Sequence, residues 1–313
     1  MKGNTGARPS GCRTAGSANA RGSTPHALLQ ASLCSLKAAL LVVLLTILGS
    51  SEAPAQLRVL PDDEPQEVFT GKECKLTVNL HNPAANSVEA DLRTLLHQAS
   101  SATAVAVGEA PWKKLAVLPG QTVVESVTLA FPAVKAETRF LIQWLDAANR
   151  VVGLAEVLGY PPDLLKDLEA WADADPVGVL DPQNQLKPLL NAAAVEWQDL
   201  EDTGLGNYHG KLAIIGPFQG RAQVPEDLPK RIKALARKGA GVVWIQPLPE
   251  KRPKELKPSF YTVQEGKGAV VIVQADQVTN LAEKPQAQLN LIEFARLARE
   301  PELLRWPQFT RSD

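Results

Sequence analysis

The chain has 313 residues, more than the roughly 100–200 of one ordinary domain, so two domains are expected. Apolar residues supply 45% and charged residues 21%, which excludes collagen-like, coiled-coil and wholly disordered architectures. A formal net charge of -1 leaves no electrostatic footprint for nucleic acid, and three cysteines cannot frame a disulfide scaffold.

The N-terminus reads as an export signal. Lys2, Arg8, Arg13, Arg21 and Lys37 come with no acidic residue among them, and Ala38 to Leu48 is then apolar apart from Thr46. This is the order of a basic region followed by an apolar one. The stretch Gly49-Ser50-Ser51-Glu52-Ala53-Pro54-Ala55 offers Ala53 and Ala55, small side chains that a signal peptidase pocket accepts, so cleavage is expected after Ala55. The apolar run is shorter than the roughly 20 residues that span a bilayer, so membrane contact is expected only through this segment, if it stays uncleaved. An Arg-rich organelle transit peptide is the alternative for so long a basic region. Beyond residue 55 the chain keeps 28 basic and 33 acidic residues and is mildly acidic. A periplasmic or extracellular location is expected.

From 56 to 160 the hydrophobic period is two. Cys74, Leu76, Val78 and Leu80 alternate with Lys75, Thr77 and Asn79, which puts one strand face inward and the other in water. The same alternation recurs in Val88–Leu92, Val127–Phe131 and Phe140–Trp144. His81-Asn82-Pro83, Leu118-Pro119-Gly120 and Asp146-Ala147-Ala148-Asn149 supply turn chemistry between such runs. Several short strands so spaced predict a β-sandwich. With Asn82-Pro83 after one strand, Leu118-Pro119-Gly120-Gln121 before another and a closing hairpin from Trp144 to Leu158, the segment resembles the immunoglobulin-like or fibronectin-type modules of bacterial envelope proteins. The resemblance implies a spacer or adhesion surface. Cys74, on the apolar side of its strand, is expected to be a buried hydrophobe rather than a reactive thiol.

After Tyr160-Pro161-Pro162 the period changes. Leu164, Leu165, Leu168 and Trp171 recur at helical spacing behind Asp163, and strands and helices then alternate. Strands are expected at Val177–Leu180, Val195–Leu200, Lys211–Gly216, Gly241–Ile245, Phe260–Val263 and Ala269–Val273. Helices are expected at Leu186–Ala194, Leu228–Lys238 and Pro285–Arg299, the last with a buried stripe of Leu289, Ile292, Phe294 and Leu297. Apolar strands without alternation, separated by helices, predict a mainly parallel sheet covered on both faces, a three-layer α/β sandwich of flavodoxin-like kind over 161–313. The whole is therefore read as a multidomain β plus α/β protein. The order Lys211–Gly216, a helix ending in Arg237-Lys238-Gly239, Gly241-Val242-Val243-Trp244, then Gly266-Lys267-Gly268-Ala269-Val270-Val271 and a long final helix resembles the class I glutamine amidotransferase-like fold, in the degenerate form found in bacterial envelope proteins.

The chemistry that this resemblance implies is missing from the residues. An active member uses a Cys on a tight elbow activated by His, because a thiolate attacks an amide carbonyl well. Residues 161–313 contain no Cys, one His, His209, and two Ser, Ser259 and Ser312. At the candidate elbow the chain reads Ile215-Gly216-Pro217-Phe218-Gln219-Gly220, and Phe218 is no nucleophile. Open α/β sheets bind ligands at strand carboxyl ends, so Asp181, Gly216, Phe218, Gln219 and Asp276 are the candidate ligand-binding residues. No catalytic residue, cofactor or metal is assigned: Asp181 and Asp276 with Asp199, Glu201 and Asp202 could offer oxygens to a hard cation, but their spacing matches no calcium loop. Asp181-Pro182 reads as a turn, 199–202 as a solvated loop and Gly204-Leu205-Gly206 as a flexible loop. The basic, proline-rich stretch Lys251–Pro258 reads as solvated, and Trp306 could pack on a partner. Two functions follow. The first is an exported noncatalytic binding or scaffold protein of the cell envelope with a protein partner; the second is a carboxylate-dependent hydrolase or transferase using Asp181 and Asp276 as acid and base.

Overall fold

The computed structural model describes residues 57–248 and 260–302. The export segment, the basic stretch 251–258 and Trp306 lie outside them. All described residues belong to one compact unit, Ala55–Asp313.

Residues up to 160 form two sheets. β1 (Arg58–Leu60), β3 (Glu73–His81) and β6 (Thr122–Ala130) make an antiparallel sheet in the order β1-β3-β6. β2 (Gln66–Phe69), β4 (Val88–Ala99), β5 (Ala104–Val117), β7 (Thr138–Leu145) and β8 (Val151–Tyr160) make the other, ordered β2-β8-β7-β4-β5, with β2 parallel to β8 and the rest antiparallel. The alternation read in the sequence is the burial pattern: Cys74, Leu76, Val78 and Leu80 are buried while Lys75 and Thr77 are exposed. They share one core with Leu92, Leu96, Phe140, Ile142 and Trp144 of the five-stranded sheet. Asn82, fully buried between strands, donates from Nδ2 to Val117 O and Asn86 O and accepts the Ala84 N–H, so the Asn-Pro turn is held by side-chain bonds.

A six-stranded sheet follows. β9 (Val177–Leu180), β10 (Trp197–Asp199), β11 (Leu212–Ile215), β12 (Gly241–Gln246), β13 (Phe260–Glu265) and β14 (Gly268–Gln274) are ordered β10-β9-β11-β12-β14-β13, parallel except for β13 at one edge. The helices are α1 (Leu168–Ala172), α2 (Lys187–Ala192), α3 (Leu200–Thr203), α4 (Leu228–Arg237) and α5 (Pro285–Arg299). Ile214, Val243 and Val271 pack with α1, α2 and α5, whereas Ala213, Val242, Trp244 and Ile272 pack with α3 and α4. With both faces covered, the strands carry unbroken apolar runs. Each large side chain so buried contributes about 1.5–3 kcal/mol.

Helix α5 corrects one expectation. Phe294 and Leu297 are buried against the sheet, joined by Leu291, Ala295 and Ala298. Leu289 instead lies half-buried against Phe69, Tyr160 and Leu164, while Ile292, also half-buried, packs on both that cluster and the core under the sheet. The helix thus serves two cores, its own sheet and the junction with β2 and β8. Three residues, Pro161-Pro162-Asp163, separate β8 from the 3-10 turn Leu164–Asp167, and Thr70 bonds Tyr160 O through both its N–H, at 2.8 Å, and its Oγ1, at 2.9 Å.

Candidate functional site

The crossover from β9 leads to β10 on one side, and the next returns to β11 on the other. The strand order therefore reverses between β9 and β11, and open α/β sheets hold ligands in the crevice at such a point. The Gly216 N–H donates to Leu180 O at 2.8 Å, carrying the β9–β11 pairing one residue past the strand. Asp181 and Gly216 thus lie side by side at the carboxyl edge.

Asp181 is 1% exposed. The Asp-Pro turn folds the chain back so that Oδ2 accepts the Leu186 N–H at 2.6 Å and the Lys187 N–H at 3.1 Å at the start of α2. Its Oδ1 is buried without a hydrogen-bond partner. The Asp181 N–H donates to Glu201 Oε1 at 3.1 Å.

The 199–202 segment, expected to be a solvated loop, is built into this corner. Lys187 Nζ reaches Asp199 Oδ2 at 2.8 Å and Glu201 Oε1 at 2.9 Å, and lies 5.8 Å from the centre of the Trp197 ring. Asp199 Oδ1 accepts the Glu201 N–H at 2.8 Å, which starts α3. Burial by itself would lower the Lys187 ammonium, but the bonds to Asp199 and Glu201 outweigh it and raise it above its ordinary value. The Lys187 bond in turn holds the Asp199 carboxyl below the usual range, against burial. Sequence reasoning missed Lys187. The opposite charges at 187, 199 and 201 were its only signal, and they meet only because β9 pairs with β10.

The elbow after β11 is a backbone feature. Gly216 has φ of +99°, and a Cβ there would stand 2.5 Å from Ile245 O, so glycine alone fits; the Gly216–Pro217 bond is cis. Phe218 is 5% exposed and packs with Leu228 and Trp244 under α4, where its ring fills that core. Gln219 is exposed, and its N–H donates to Gln223 Oε1 at 3.0 Å while Gln223 Nε2 donates to its Oε1 at 3.2 Å.

Asp276 is not brought to this corner. It is exposed in the 3-10 turn Ala275–Val278 after β14, with β11 and β12 between β14 and β9. Three strand spacings of about 4.8 Å put the two strand ends on the order of 14 Å apart. That is wider than the roughly 6.5–9.5 Å of an acid–base pair of carboxyls acting across a sugar ring and a water. His209 is exposed just before β11, at the opposite end of the strand from the elbow. Cys74 is buried in the N-terminal core, its Sγ 3.1 Å from Phe69 O, and burial pushes the thiol up. The Gly204–Gly206 stretch, expected to be flexible, contributes to a 3-10 turn, Leu205–Asn207, anchored by Leu205 at 1% exposure. Among the described residues no group of three or more His, Cys, Asp and Glu could hold a metal ion, and no helix is long and apolar enough to cross a membrane.

Comparison with protein-family models and with curated proteins gives no match. The chain is similar in part to several solved structures. The alkylpurine DNA glycosylase AlkC of Pseudomonas fluorescens, bound to DNA containing an abasic site analog, is 16% identical over 37% of this chain and 33% of its own, with a TM-score of 0.27. The sporulation control protein Spo0M of Bacillus subtilis is 9% identical over 38% of this chain and 55% of its own, with a TM-score of 0.27. A CARDB domain from Pyrococcus furiosus, in complex with di-metal ions, is 14% identical over 34% of this chain and 87% of its own, with a TM-score of 0.24. The match thus spans about a third of the first of these and about half of the second. Likenesses this distant carry no argument about fold or activity.

Proposed function

We propose that this chain is an exported, noncatalytic binding or scaffold protein of the cell envelope. In this reading an immunoglobulin-like β-sandwich is joined to a three-layer α/β sandwich of the amidotransferase-like kind, and the protein holds a partner or ligand at the switch point. The basic and apolar order of residues 1–55 supports export. One observation carries the rest. Where an amidotransferase-like enzyme needs a nucleophile on its elbow, the chain places Gly216-Pro217-Phe218 with the aromatic ring closed into the core, beside a carboxylate committed to holding α2. Such an edge can bind through Asp181 and Glu201, but it offers no group to attack a carbonyl. Gently solubilised envelope carrying the full-length protein provides the test. A mature N-terminus at Gln56 together with one stoichiometric partner is the expected outcome. Glutamine or glycoside turnover at enzyme-like rates by the purified protein would overturn the reading.

A further inference from the structure

Of the six buried side-chain polar atoms without a partner among the described residues, only Asp181 Oδ1 belongs to an acidic group. A buried carboxylate is tolerated when paired or fully hydrogen-bonded, and half of this one is neither. Its surroundings make the deficit larger. Asp181, Asp199 and Glu201 are linked by hydrogen bonds through one side-chain cation, Lys187, whose Nζ is engaged by Asp199 and Glu201 and which meets Asp181 only through its backbone N–H. The Lys187 ammonium is thus shared by Asp199 and Glu201, and the Asp181 carboxyl beside them has no side-chain cation of its own. Glu201 uses the same oxygen, Oε1, toward both Asp181 N and Lys187 Nζ, and its side chain is 40% exposed, so this corner opens to water on the Glu201 side.

We propose that this corner binds a small protonated amine, whose N–H groups donate to Asp181 Oδ1 and to the second oxygen of Glu201. The inference rests on reading the switch point as the binding edge. A singly charged hydrogen-bond donor fits better than a divalent ion, because no three acidic, His or Cys groups converge to coordinate a metal here, whereas an ammonium needs only acceptors in hydrogen-bonding directions. It adds the one positive charge that Asp181 lacks and leaves the Lys187 bridge intact. A bulky quaternary amine, with no N–H and too large for an enclosed oxygen, is excluded by the same geometry.

The test is a thermal-shift titration of the full-length protein at constant ionic strength with ammonium, methylammonium, sodium, potassium or tetramethylammonium chloride. Ammonium and methylammonium are expected to raise Tm saturably by about 3–6 °C at roughly ten times their Kd, and the other three to leave it unmoved. Asp181→Asn retains an acceptor for the Leu186 and Lys187 N–H groups, so it should fold and lose the response. Glu201→Gln is a second variant expected to weaken the response. Equal Tm in all salts would mean that water alone fills the corner and would overturn the proposal. An equal response to sodium and potassium, or an undiminished response in Asp181→Asn, would overturn it as well. Neither result touches the proposed envelope role, whose test is the stoichiometric partner.

Discussion

The Tyr208 hydroxyl accepts the Gly178 N–H at 2.9 Å and lies 2.6 Å from Leu212 O, so one buried side chain ties β9 to β11 at their amino ends. Burial pushes this phenol up to about 12. Removing the hydroxyl in Tyr208→Phe leaves the Gly178 N–H unpaired in the interior, which costs about 1–3 kcal/mol. At about 2–4 °C per kcal/mol for a unit of this size, calorimetry is expected to show a Tm lower by several degrees. Gly178→Ala is expected to cost more, because its Cβ would stand 2.8 Å from the same rigid ring. A Tyr208→Phe protein as stable as the parent would show that the bridge contributes nothing net.

The Lys187 bridge sets a pH dependence of defined sign. Asp199 has its folded pKa depressed, so its contribution is present above the ordinary value of 3.8 and is lost as pH falls through the lower folded value. Lys187 has its folded pKa raised, so its contribution is present below 10.5 and is lost as pH rises through the folded value. Lys187→Met leaves two carboxylates facing each other without their cation and is expected to lower stability at pH 7 by about 1–3 kcal/mol. Urea unfolding of parent and variant should therefore diverge between about pH 5 and 10 and converge toward pH 3. A gap that is independent of pH would assign the loss to packing of the Lys187 stem on Trp197 instead.

Much of this fold is legible where a pattern has one cause. The alternation Cys74–Leu80 marks a face, the runs at 212–215 and 241–245 mark strands buried on both sides, and α5 has the bounds that its proline and its apolar period indicate. Legibility fails where contacts are non-local. β5 is unreadable because Ala104–Glu109 is exposed on both faces at the sheet edge, so burial imposes no alternation. Leu289 sits in an apolar stripe, but its own target, the Phe69–Tyr160–Leu164 cluster, belongs to another part of the chain. At the site, Asp181 and Gly216 could be placed together from strand ends alone. Lys187 could not, since its partners are 12 and 14 residues away and meet it only across paired strands.

Glu67 on β2 gives the opposite pH behaviour. Burial pushes its carboxyl up, the Gln286 N–H at the start of α5 pulls it down, and Glu137 and Glu64 push it up again; the net result is raised. A raised carboxyl binds more protons in the folded than in the unfolded state, so this group favours folding as pH falls toward 4.5 and opposes it above the folded value. Glu67→Gln keeps an acceptor for Gln286 and removes the like-charge contact. The variant is expected to melt at or above the parent at pH 7, with the difference vanishing below about pH 4.5. A lower Tm for the variant at pH 7 would show that the negative charge at the helix end outweighs repulsion from Glu137 and Glu64.

The junction invites a test of cooperativity. The N-terminal sheets and the six-stranded sheet have separate cores, and Phe69, Tyr160 and Leu164 with Leu289 and Ile292 join them. Leu289 belongs to this joint and not to the core beneath the sheet, so Leu289→Asp puts an unpaired charge into the joint while leaving both cores filled. The parent is expected to unfold in one calorimetric transition, and the variant in two, or in one whose van't Hoff enthalpy falls clearly below the calorimetric value. Leu289→Ala should weaken the coupling without splitting the transition. In small-angle scattering the parent is expected to show a narrow distribution of distances between the N-terminal sheets and the six-stranded sheet, held by the stiff Pro161-Pro162 link, and the Leu289→Asp variant a broader one. A single unchanged transition in Leu289→Asp would mean that the bonds of Thr70 to Tyr160, rather than the apolar cluster, make the two parts melt as one.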